Sequence, residues 1–328
     1  MKERCLFNQR VEMLFARFNE PVIPIESLQK WLGLFEEGDK PAALALLETI
    51  EFHSQPRLIR ETRLLHAQLQ ERLAAGGFDE KELTDVDFSR EFTCKSGDVV
   101  SYIYRKANLI PAVDFKTLDR LAWQTEKHAP DHDNRALVIL DDYIGTGSQF
   151  IFQFIGKDVE DIEVLNSYKK IYLACYIVHE NALEKFRLLR DGKIEEALRR
   201  EEEQFPDIDF SGEEESLRRA LRELDWKNIE LVYLEVDRPL LSDSNNRLSA
   251  ADKRSIQSLL DKFRHEGYSG TSSLMGHHTF FYGAPNSLPE ILWPLFRRIE
   301  DLSIYTGGTE KLIAVTGKVT RYSIEDIP

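Results

Sequence analysis

The chain has 328 residues, a length that fits about two domains or one large α/β domain with an appendage. Its 43 basic and 57 acidic residues give a formal net charge of -14, and this excess of acidic residues makes direct nucleic-acid binding unexpected. With 42% hydrophobic and 30% charged residues the chain has the composition of a globular protein, neither disordered nor fibrous.

The chain has none of the usual signs of a membrane or secreted protein. Its longest apolar run, from Ile171 to Val178, is far shorter than the roughly 20 residues that span a bilayer. The N-terminus is rich in charge and lacks the apolar segment of a secretory signal. The three cysteines, Cys5, Cys94 and Cys175, form neither a disulfide framework nor a zinc pattern. We therefore expect a cytoplasmic protein without membrane contact.

Residues 1–90 are predicted to form a small N-terminal helical region. Apolar residues recur at helical spacing from Ile25 to Phe35, and a second helix is predicted from Ala42 to Ile50. A third helix is predicted over 56–75, with its leucines on one stripe and its end at Gly76 and Gly77.

Residues 91–328 alternate between strand-like and helix-like segments. Apolar or β-branched runs predict strands, and amphipathic stretches after two of them predict helices from Asn181 and over 253–263. This alternation predicts an α/β fold with a mostly parallel sheet flanked by helices. The predicted strands are 99–105, 136–140, 171–178, 229–236, 279–282 and 312–316.

A highly charged segment, 191–224, interrupts this alternation. It contains 12 acidic and 6 basic residues out of 34 and is predicted to form two exposed helices, broken near Pro206 and Gly212. The simpler interpretation is a solvated helical insertion, and the alternative is an arm that docks a protein partner.

The segment with the clearest chemistry starts at the apolar run Leu137 to Leu140, which ends in Asp141 and Asp142. A loop of small residues follows, and its backbone N–H groups could close around an anion at the start of a helix. Ligands bind beyond the carboxyl ends of strands in open α/β sheets, so a ribose 5-phosphate fits here. The carboxylates would hold the 2- and 3-hydroxyls, and the loop would hold the phosphate. The alternative is a buried strand that ends in a structural Asp-Asp turn.

Other nucleotide motifs do not match. The chain has no G-x-x-x-x-G-K-S/T and no G-x-G-x-x-G after a strand. The segment instead resembles the phosphoribosyl-pyrophosphate motif of type I phosphoribosyltransferases. That motif has four hydrophobic residues, Asp-Asp, two hydrophobic residues, a small residue and Thr-Gly. The resemblance implies that Asp141 and Asp142 are the catalytic residues that hold the ribose. It implies that the 5-phosphate is bound by Ile144, Gly145, Thr146, Gly147, Ser148 and Gln149.

Two positions depart from the family pattern. Gly145 stands where hypoxanthine-type enzymes have an Asp that acts on the purine, so that general acid/base is missing. Gln149 stands where many members have Thr. In the family that the motif resembles, the pyrophosphate-binding segments precede the ribose motif in the chain. This order suggests pyrophosphate ligands at Lys95, Ser96, Gly97, Arg105 and Lys106. The alternative is a strand end whose basic side chains are solvated.

The segment Gly276 to Trp293 resembles the C-terminal part of phosphoribosyltransferase-like proteins linked to bacterial conflict and antiphage systems. Tyr282 and Asn286 are candidates for a base pocket, although the neighbouring aromatic residues and Asn286 could equally form sheet core and a turn. His277 and His278 are adjacent in a predicted strand, so they should point to opposite faces and not share one metal ion. One of them could act as a general acid.

The resemblance implies an enzyme that binds phosphoribosyl pyrophosphate or a nucleotide with Mg²⁺ and acts at C1 of the ribose. Mg²⁺ would be held mainly through the substrate, with Asp141 and Asp142 as candidate ligands. The alternative is a nucleotide or phosphoribosyl-pyrophosphate sensor, or a toxin-module component, without turnover. Expected partners are a second copy of the chain or a defence complex, contacted through 191–224 or the N-terminal helices.

Overall fold

The computed structural model describes residues 9–11, 13, 25–78, 85–90, 96–110, 115–116, 134–147, 150, 159–204, 221–265, 275–280, 289–292 and 295. The helices are α1 (Ile25–Leu32), α2 (Lys40–Glu48), α3 (Gln55–Ala75), α4 (Ser96–Asn108), α5 (Val159–Ser167), α6 (Glu180–Arg190), α7 (Ile194–Gln204) and α8 (Ala250–His265). The strands are β1 (Glu51–His53), β2 (Val86–Arg90), β3 (Phe115–Lys116), β4 (Ala136–Ile144), β5 (Lys170–His179), β6 (Ile229–Asp237) and β7 (His278–Phe280).

The chain divides into two compact units. The first unit combines residues 1–55 with 237–328, and the second unit is the continuous segment 56–236. This division differs from the predicted boundary at residue 90. The difference arises because β2, which ends at Arg90, pairs with β4 in the sheet of the second unit.

A five-stranded sheet forms the centre of the second unit, in the order β3-β2-β4-β5-β6. The strands β3, β2, β4 and β5 pair in parallel, with Leu140 of β4 beside Arg90 of β2 and Ala174 of β5. Every residue of β4 is buried, as expected for a parallel strand that is covered on both faces. The predicted α/β fold with a mostly parallel sheet is confirmed.

The direction of chain progression reverses at the middle of this sheet. From β2 the chain passes through α4 to β3 on one side, whereas β4 lies on the other side of β2 and leads on to β5. The carboxyl ends of β2 and β4 therefore flank a topological switch point. Ligands of open α/β sheets bind in the crevice at such a point.

Helices pack on the sheet of the second unit and bury its apolar side chains. The stripe predicted on α3 is buried at Leu58, Leu65, Leu69 and Leu73. The helix ends as predicted, because Gly77 adopts a φ of 82° and the N–H of Phe78 donates to Leu73 O at 3.0 Å. A separate cluster on the sheet includes Phe150, Ile162, Leu173, Phe186 and Trp226.

The charged segment 191–224 is not exposed on all sides. Ala197 and Leu198 of α7, together with Leu221 and Leu224, are buried in the core of the second unit. Its charged residues form ion pairs around this apolar stripe, for example Arg222 with Glu195 at 2.9 Å. The prediction of two exposed helices was wrong for the face that carries these apolar residues. Apolar residues at helical spacing can be buried on one face even where most other residues are charged. Residues 205–220 lie outside the described residues.

One predicted strand is a helix. Residues 99–105 lie in α4, where Val100, Ile103 and Tyr104 are buried with helical spacing. The short strands β1, β2 and β3 were not predicted. The predicted strand 312–316 lies outside the described residues, as do residues 281–282 of another.

The first unit has its own core, built from both of its chain segments. Side chains of α1, α2 and α8 pack with Leu240, Ile291, Leu292 and Leu295. The indole Nε1 of Trp31 donates to Ile291 O at 2.7 Å. Parallel strands β1 and β7 pair in this unit, with Phe52 beside Thr279. Among the described residues, no helix of either unit combines the length and apolarity that a bilayer span requires.

Candidate functional site

The paired carboxylates lie within β4, near its carboxyl end. The predicted strand stopped at Leu140, whereas β4 continues to Ile144. Asp141 and Asp142 are 9% and 8% exposed. The N–H of Asp142 donates to Asp141 Oδ1 and the N–H of Tyr143 donates to Asp142 Oδ1, each at 2.8 Å. Because each carboxylate accepts a bond from the residue after it, both side chains lean toward the carboxyl edge of the sheet.

The two carboxylates have different surroundings because neighbouring residues of a strand point to opposite faces. Asp141 lies beside Cys175 of β5. Asp142 faces Tyr176, whose hydroxyl lies 2.8 Å from the Thr62 hydroxyl of α3. Burial raises the pKa of Tyr176 well above its usual value, and the negative charge of Asp142 raises it further. Tyr176 therefore remains a neutral hydroxyl at physiological pH.

The predicted phosphate loop follows β4 directly. Gly145 and Thr146 are half-buried, and Gly147 is buried with a φ of 75°. A Cβ atom on Gly147 would lie 2.7 Å from Cε2 of Phe186, so the position is restricted by both conformation and space. Ser148 and Gln149 lie outside the described residues.

Aromatic side chains that local sequence did not reveal form the floor beneath this loop. Phe186 of α6 packs against Phe150 and Trp226, with ring centroids 5.9 and 5.8 Å away. The position of α6 is fixed at its start by His179, whose Nδ1 accepts the N–H of Asn181 at 3.2 Å. The only local signal for this arrangement is a polar capping residue directly after an apolar strand.

The predicted pyrophosphate ligands fall into two groups. Ser96 and Gly97 begin α4, just beyond the carboxyl end of β2 and therefore at the same sheet edge as Asp141. Arg105 and Lys106 lie in the last turn of α4, next to the ring of Tyr102. Arg105 follows Ser96 by nine positions in the helix, which is about 14 Å along the axis.

The topology explains why Arg105 and Lys106 are remote from the loop. The helix α4 connects two parallel strands, so it runs from the carboxyl edge of the sheet back toward the amino edge. The structure brings Ser96 and Gly97 to the edge with the loop and does not bring Arg105 and Lys106 there. Lys95 lies outside the described residues.

A protein-family model labelled PRTase-CE matches residues 28–295. The chain belongs to the PRTase-CE family. The match covers most of the chain and includes parts of both units. No curated protein and no solved structure matches the chain.

Membership of the PRTase-CE family confirms the predicted phosphoribosyltransferase-like domain. The parallel sheet and its helices agree with that fold. Within the matched range the motif from Asp141 to Gly147 covers the end of β4 and the loop after it, at the topological switch point.

Two other predicted features of this PRTase-CE protein have different outcomes. The base-pocket candidates Tyr282 and Asn286 lie outside the described residues. The prediction that His277 and His278 cannot approach one ion was wrong. Their rings are 4.3 Å apart, and each has a ring nitrogen facing Asp237. The geometry differs because His277 precedes β7 rather than lying within it, so strand alternation does not apply to the pair.

Next to the floor of the phosphate loop, α6 carries a buried lysine. Lys185 is 3% exposed and precedes Phe186 in the helix. Burial lowers the pKa of Lys185 to about 7, because the charged ammonium loses its hydration. The sequence alone did not indicate this residue.

Proposed function

We propose that the chain binds phosphoribosyl pyrophosphate or a nucleotide together with Mg²⁺ and acts at C1 of the ribose. The observation that carries this proposal is the position of the paired carboxylates. Asp141 and Asp142 lean toward the edge of the sheet from which the loop Gly145–Gly147 emerges, at the switch point between β2 and β4.

In this proposal the carboxylates bind the sugar and the loop binds the phosphate. Asp141 and Asp142 accept hydrogen bonds from the ribose 2- and 3-hydroxyls. Backbone N–H groups from Ile144 to Gln149 surround the 5-phosphate, and Gly147 brings the backbone close to the Phe186 floor. The pyrophosphate lies toward Ser96 and Gly97, whose N–H groups are at the start of α4.

The donor set at the end of β4 also fits the proposed cation. Carboxylate oxygens are hard ligands of the kind that Mg²⁺ prefers, and Asp141 and Asp142 each supply one carboxylate near the end of β4. Mg²⁺, when bound with the substrate, would offset the negative charge of the pyrophosphate. The chain's own residues hold the ribose and its phosphate in position.

The proposed reaction breaks the bond between C1 and the pyrophosphate oxygen, and the pyrophosphate leaves with the electron pair. The acceptor then donates an electron pair to C1 and loses a proton to solvent. Positive charge develops on the ribose ring in between. The buried carboxylates of Asp141 and Asp142 stabilise this charge, because charge interactions are strong at sites shielded from water.

The chain offers no acidic side chain at Gly145 to protonate or deprotonate a base. This feature supports a second candidate function, a sensor that binds phosphoribosyl pyrophosphate or a nucleotide without turnover. The two functions make different predictions for the release of pyrophosphate.

The decisive experiment combines binding with turnover. Calorimetry with phosphoribosyl pyrophosphate and Mg²⁺ tests binding, and pyrophosphate release across a panel of bases and nucleosides tests turnover. We expect Asp142→Asn to abolish release with little change in melting temperature, because the substitution removes charge and keeps shape. Asp191→Asn, at the exposed end of α6, is the matched control and should keep full activity.

Each outcome of this experiment has a defined meaning. Full release of pyrophosphate in Asp142→Asn contradicts the proposed catalytic site. Binding without release in every mixture favours the sensor. Failure of phosphoribosyl pyrophosphate, ribose 5-phosphate and nucleotides to bind the folded protein overturns both.

We further propose that the chain acts as an effector in an antiphage system, as a homo-oligomer or with a protein partner. The support is the resemblance of Gly276 to Trp293 to proteins of such systems. Phage plating on cells that carry the gene with its neighbours tests this role. Protection that is lost with Asp142→Asn supports it, and equal protection by wild type and variant contradicts a role for the site.

A further inference from the structure

A cluster of buried histidines lies in the first unit, formed by residues that the phosphoribosyl site does not use. His53, His277 and His278 are 1%, 3% and 0% exposed, and Asp237 beside them is 0% exposed. The cluster brings residues that are far apart in sequence into one place. Three imidazoles and one carboxylate are the donor types that divalent transition metals prefer.

Backbone contacts explain why these residues meet. The N–H of Leu240 donates to Met275 O at 2.9 Å, which places the segment after Asp237 beside the segment before His277. The N–H of Glu51 donates to His277 O at 2.7 Å, and β1 then pairs with β7. Met275 has a φ of 48°, a conformation that non-glycine residues adopt only where the surrounding structure enforces it.

The distances in the cluster lie on either side of the spacing expected between two ligands of one small cation. Oδ1 of Asp237 lies 2.7 Å from Nδ1 of His277 and 4.0 Å from Nε2 of His278. One ring nitrogen of His277 lies within 4.8 Å of one ring nitrogen of His278. Neighbouring ligands of a tetrahedral zinc ion, with bonds of about 2.0–2.1 Å, lie about 3.3 Å apart, which is between the two carboxylate distances.

The contact between His277 and Asp237 is not a hydrogen bond. Although Nδ1 and Oδ1 are 2.7 Å apart, their alignment is wrong for a shared proton. Neither ring nitrogen of His277 forms a hydrogen bond with the part of the chain that the structure describes. A cation bound to both groups would compensate the burial of this imidazole beside a carboxylate.

His53 supplies the support that a metal-binding histidine requires. Its Nε2 lies 3.0 Å from Nδ1 of His278. When Nδ1 of His278 donates this hydrogen bond, Nε2 of His278 keeps its lone pair and points toward Asp237. Ligating histidines commonly donate their second ring N–H in this way, which fixes the tautomer and the ring orientation.

From these observations we infer that Asp237, His277 and His278 bind a divalent transition-metal ion, best matched by Zn²⁺, with His53 orienting His278. The inference does not rest on the proposed phosphoribosyl chemistry, because none of these four residues takes part in it. The bound ion ties the segment at Asp237 to the start of β7. We expect it to stabilise the first unit.

The test uses the full chain without an affinity tag that contains histidine. Calorimetry with Zn²⁺ should give one tight site, and Co²⁺ should produce the visible absorption bands of a tetrahedral centre. X-ray absorption of the zinc form should show nitrogen and oxygen neighbours at about 2.0–2.1 Å without sulfur at about 2.3 Å. The melting temperature should rise with Zn²⁺ and fall again with a chelator, and Mg²⁺ should have no such effect.

Variants assign the ligands. His277→Gln and Asp237→Asn should each weaken zinc binding more than 100-fold, and His53→Gln should weaken it roughly 10–100-fold. His66→Gln is the matched control, because His66 also lies against another aromatic side chain but outside the cluster, and its zinc affinity should be unchanged. Circular dichroism checks that each variant is folded.

Two outcomes overturn the inference. The first is a folded wild-type chain that shows no stoichiometric Zn²⁺ binding and no tetrahedral Co²⁺ spectrum. This measurement uses only the wild-type chain, so it does not depend on whether any variant folds. It would show that the cluster is packed without a metal ion. The second is zinc binding that persists with unchanged affinity in folded His277→Gln and Asp237→Asn, which would place the ion elsewhere.

Discussion

The contact between the phosphate loop and its aromatic floor allows a quantitative prediction. In Gly147→Ala, an alanine must adopt a φ of 75°, which costs about 1–2 kcal/mol. Its Cβ would also lie 2.7 Å from Cε2 of Phe186, and relief of such an overlap in a packed site costs about 1–3 kcal/mol. We therefore expect the variant to lose about 2–5 kcal/mol of unfolding free energy.

The chain provides a matched control for this substitution. Gly192 has the same φ of 75°, lies in the same unit, and has nothing within 4 Å of the position that a Cβ atom would occupy. Gly192→Ala should therefore lose only the conformational part, about 1–2 kcal/mol. The difference between the two variants isolates the contact with Phe186.

Urea unfolding at constant pH measures both losses, and a double-mutant cycle with Phe186→Leu tests their cause. The smaller side chain should recover about 1–3 kcal/mol in the Gly147→Ala background as coupling energy. Calorimetry with ribose 5-phosphate should show weaker binding for Gly147→Ala and unchanged binding for Gly192→Ala. Equal destabilisation by the two alanines, with no coupling to Phe186→Leu, would refute the proposed packing of the loop.

Two further predictions concern buried charge in the second unit. Folding lowers the pKa of Lys185 from 10.5 to about 7, so the unfolded chain binds the extra proton between these values. As the pH rises through this range, the lysine should therefore raise the free energy of unfolding of the wild type by about 1.4 kcal/mol per pH unit. Lys185→Met should remove that slope in urea titrations against pH, and an unchanged slope would contradict the assignment. Asp87→Asn should cost about 3–5 kcal/mol in urea unfolding, because the 2%-exposed Asp87 pairs with Arg135 at 2.7 Å and accepts the Tyr168 hydroxyl at 3.0 Å. A loss below 1 kcal/mol would show that the pair is dispensable.

The sequence predicted the features that depend on local pattern. The apolar runs at β4 and β5 identified buried parallel strands, and the glycine pair after α3 identified a helix end. The loop from Gly145 was also visible, because small residues after a strand are a local signal.

The sequence misled where tertiary packing overrides propensity. Residues 99–105 are rich in residues that favour strands, yet they form a helix because Val100, Ile103 and Tyr104 bury one face of it against the sheet. The strand β2 was hidden because Asp87 and Ser89 interrupt its apolar residues, although both are buried. The partners of Asp87, which are Arg135 and Tyr168, lie in distant segments that no local pattern reveals.

The candidate site shows the same limit. Asp141 and Asp142 could be identified from their position after an apolar run, whereas Phe186 and Trp226 could not. Phe186 reaches Gly147, and Trp226 packs against Phe186, only through the order of strands in the sheet and the packing of α6. The remote position of Arg105 likewise follows from the direction of α4, which becomes known only when 99–105 is recognised as helix.

The division of the chain has a consequence for its synthesis on the ribosome. Residues 56–236 form one uninterrupted unit, whereas the other unit needs residues from before position 56 and from after position 236. The strand β1 cannot form its pairing until β7 has been synthesised, more than 200 residues later. During translation the inserted unit can complete its fold first, and the N-terminal helices meet their remaining core residues only afterwards. Truncated chains that end near residue 240 should therefore hold a protease-resistant inner fragment and a cleavable N-terminal segment.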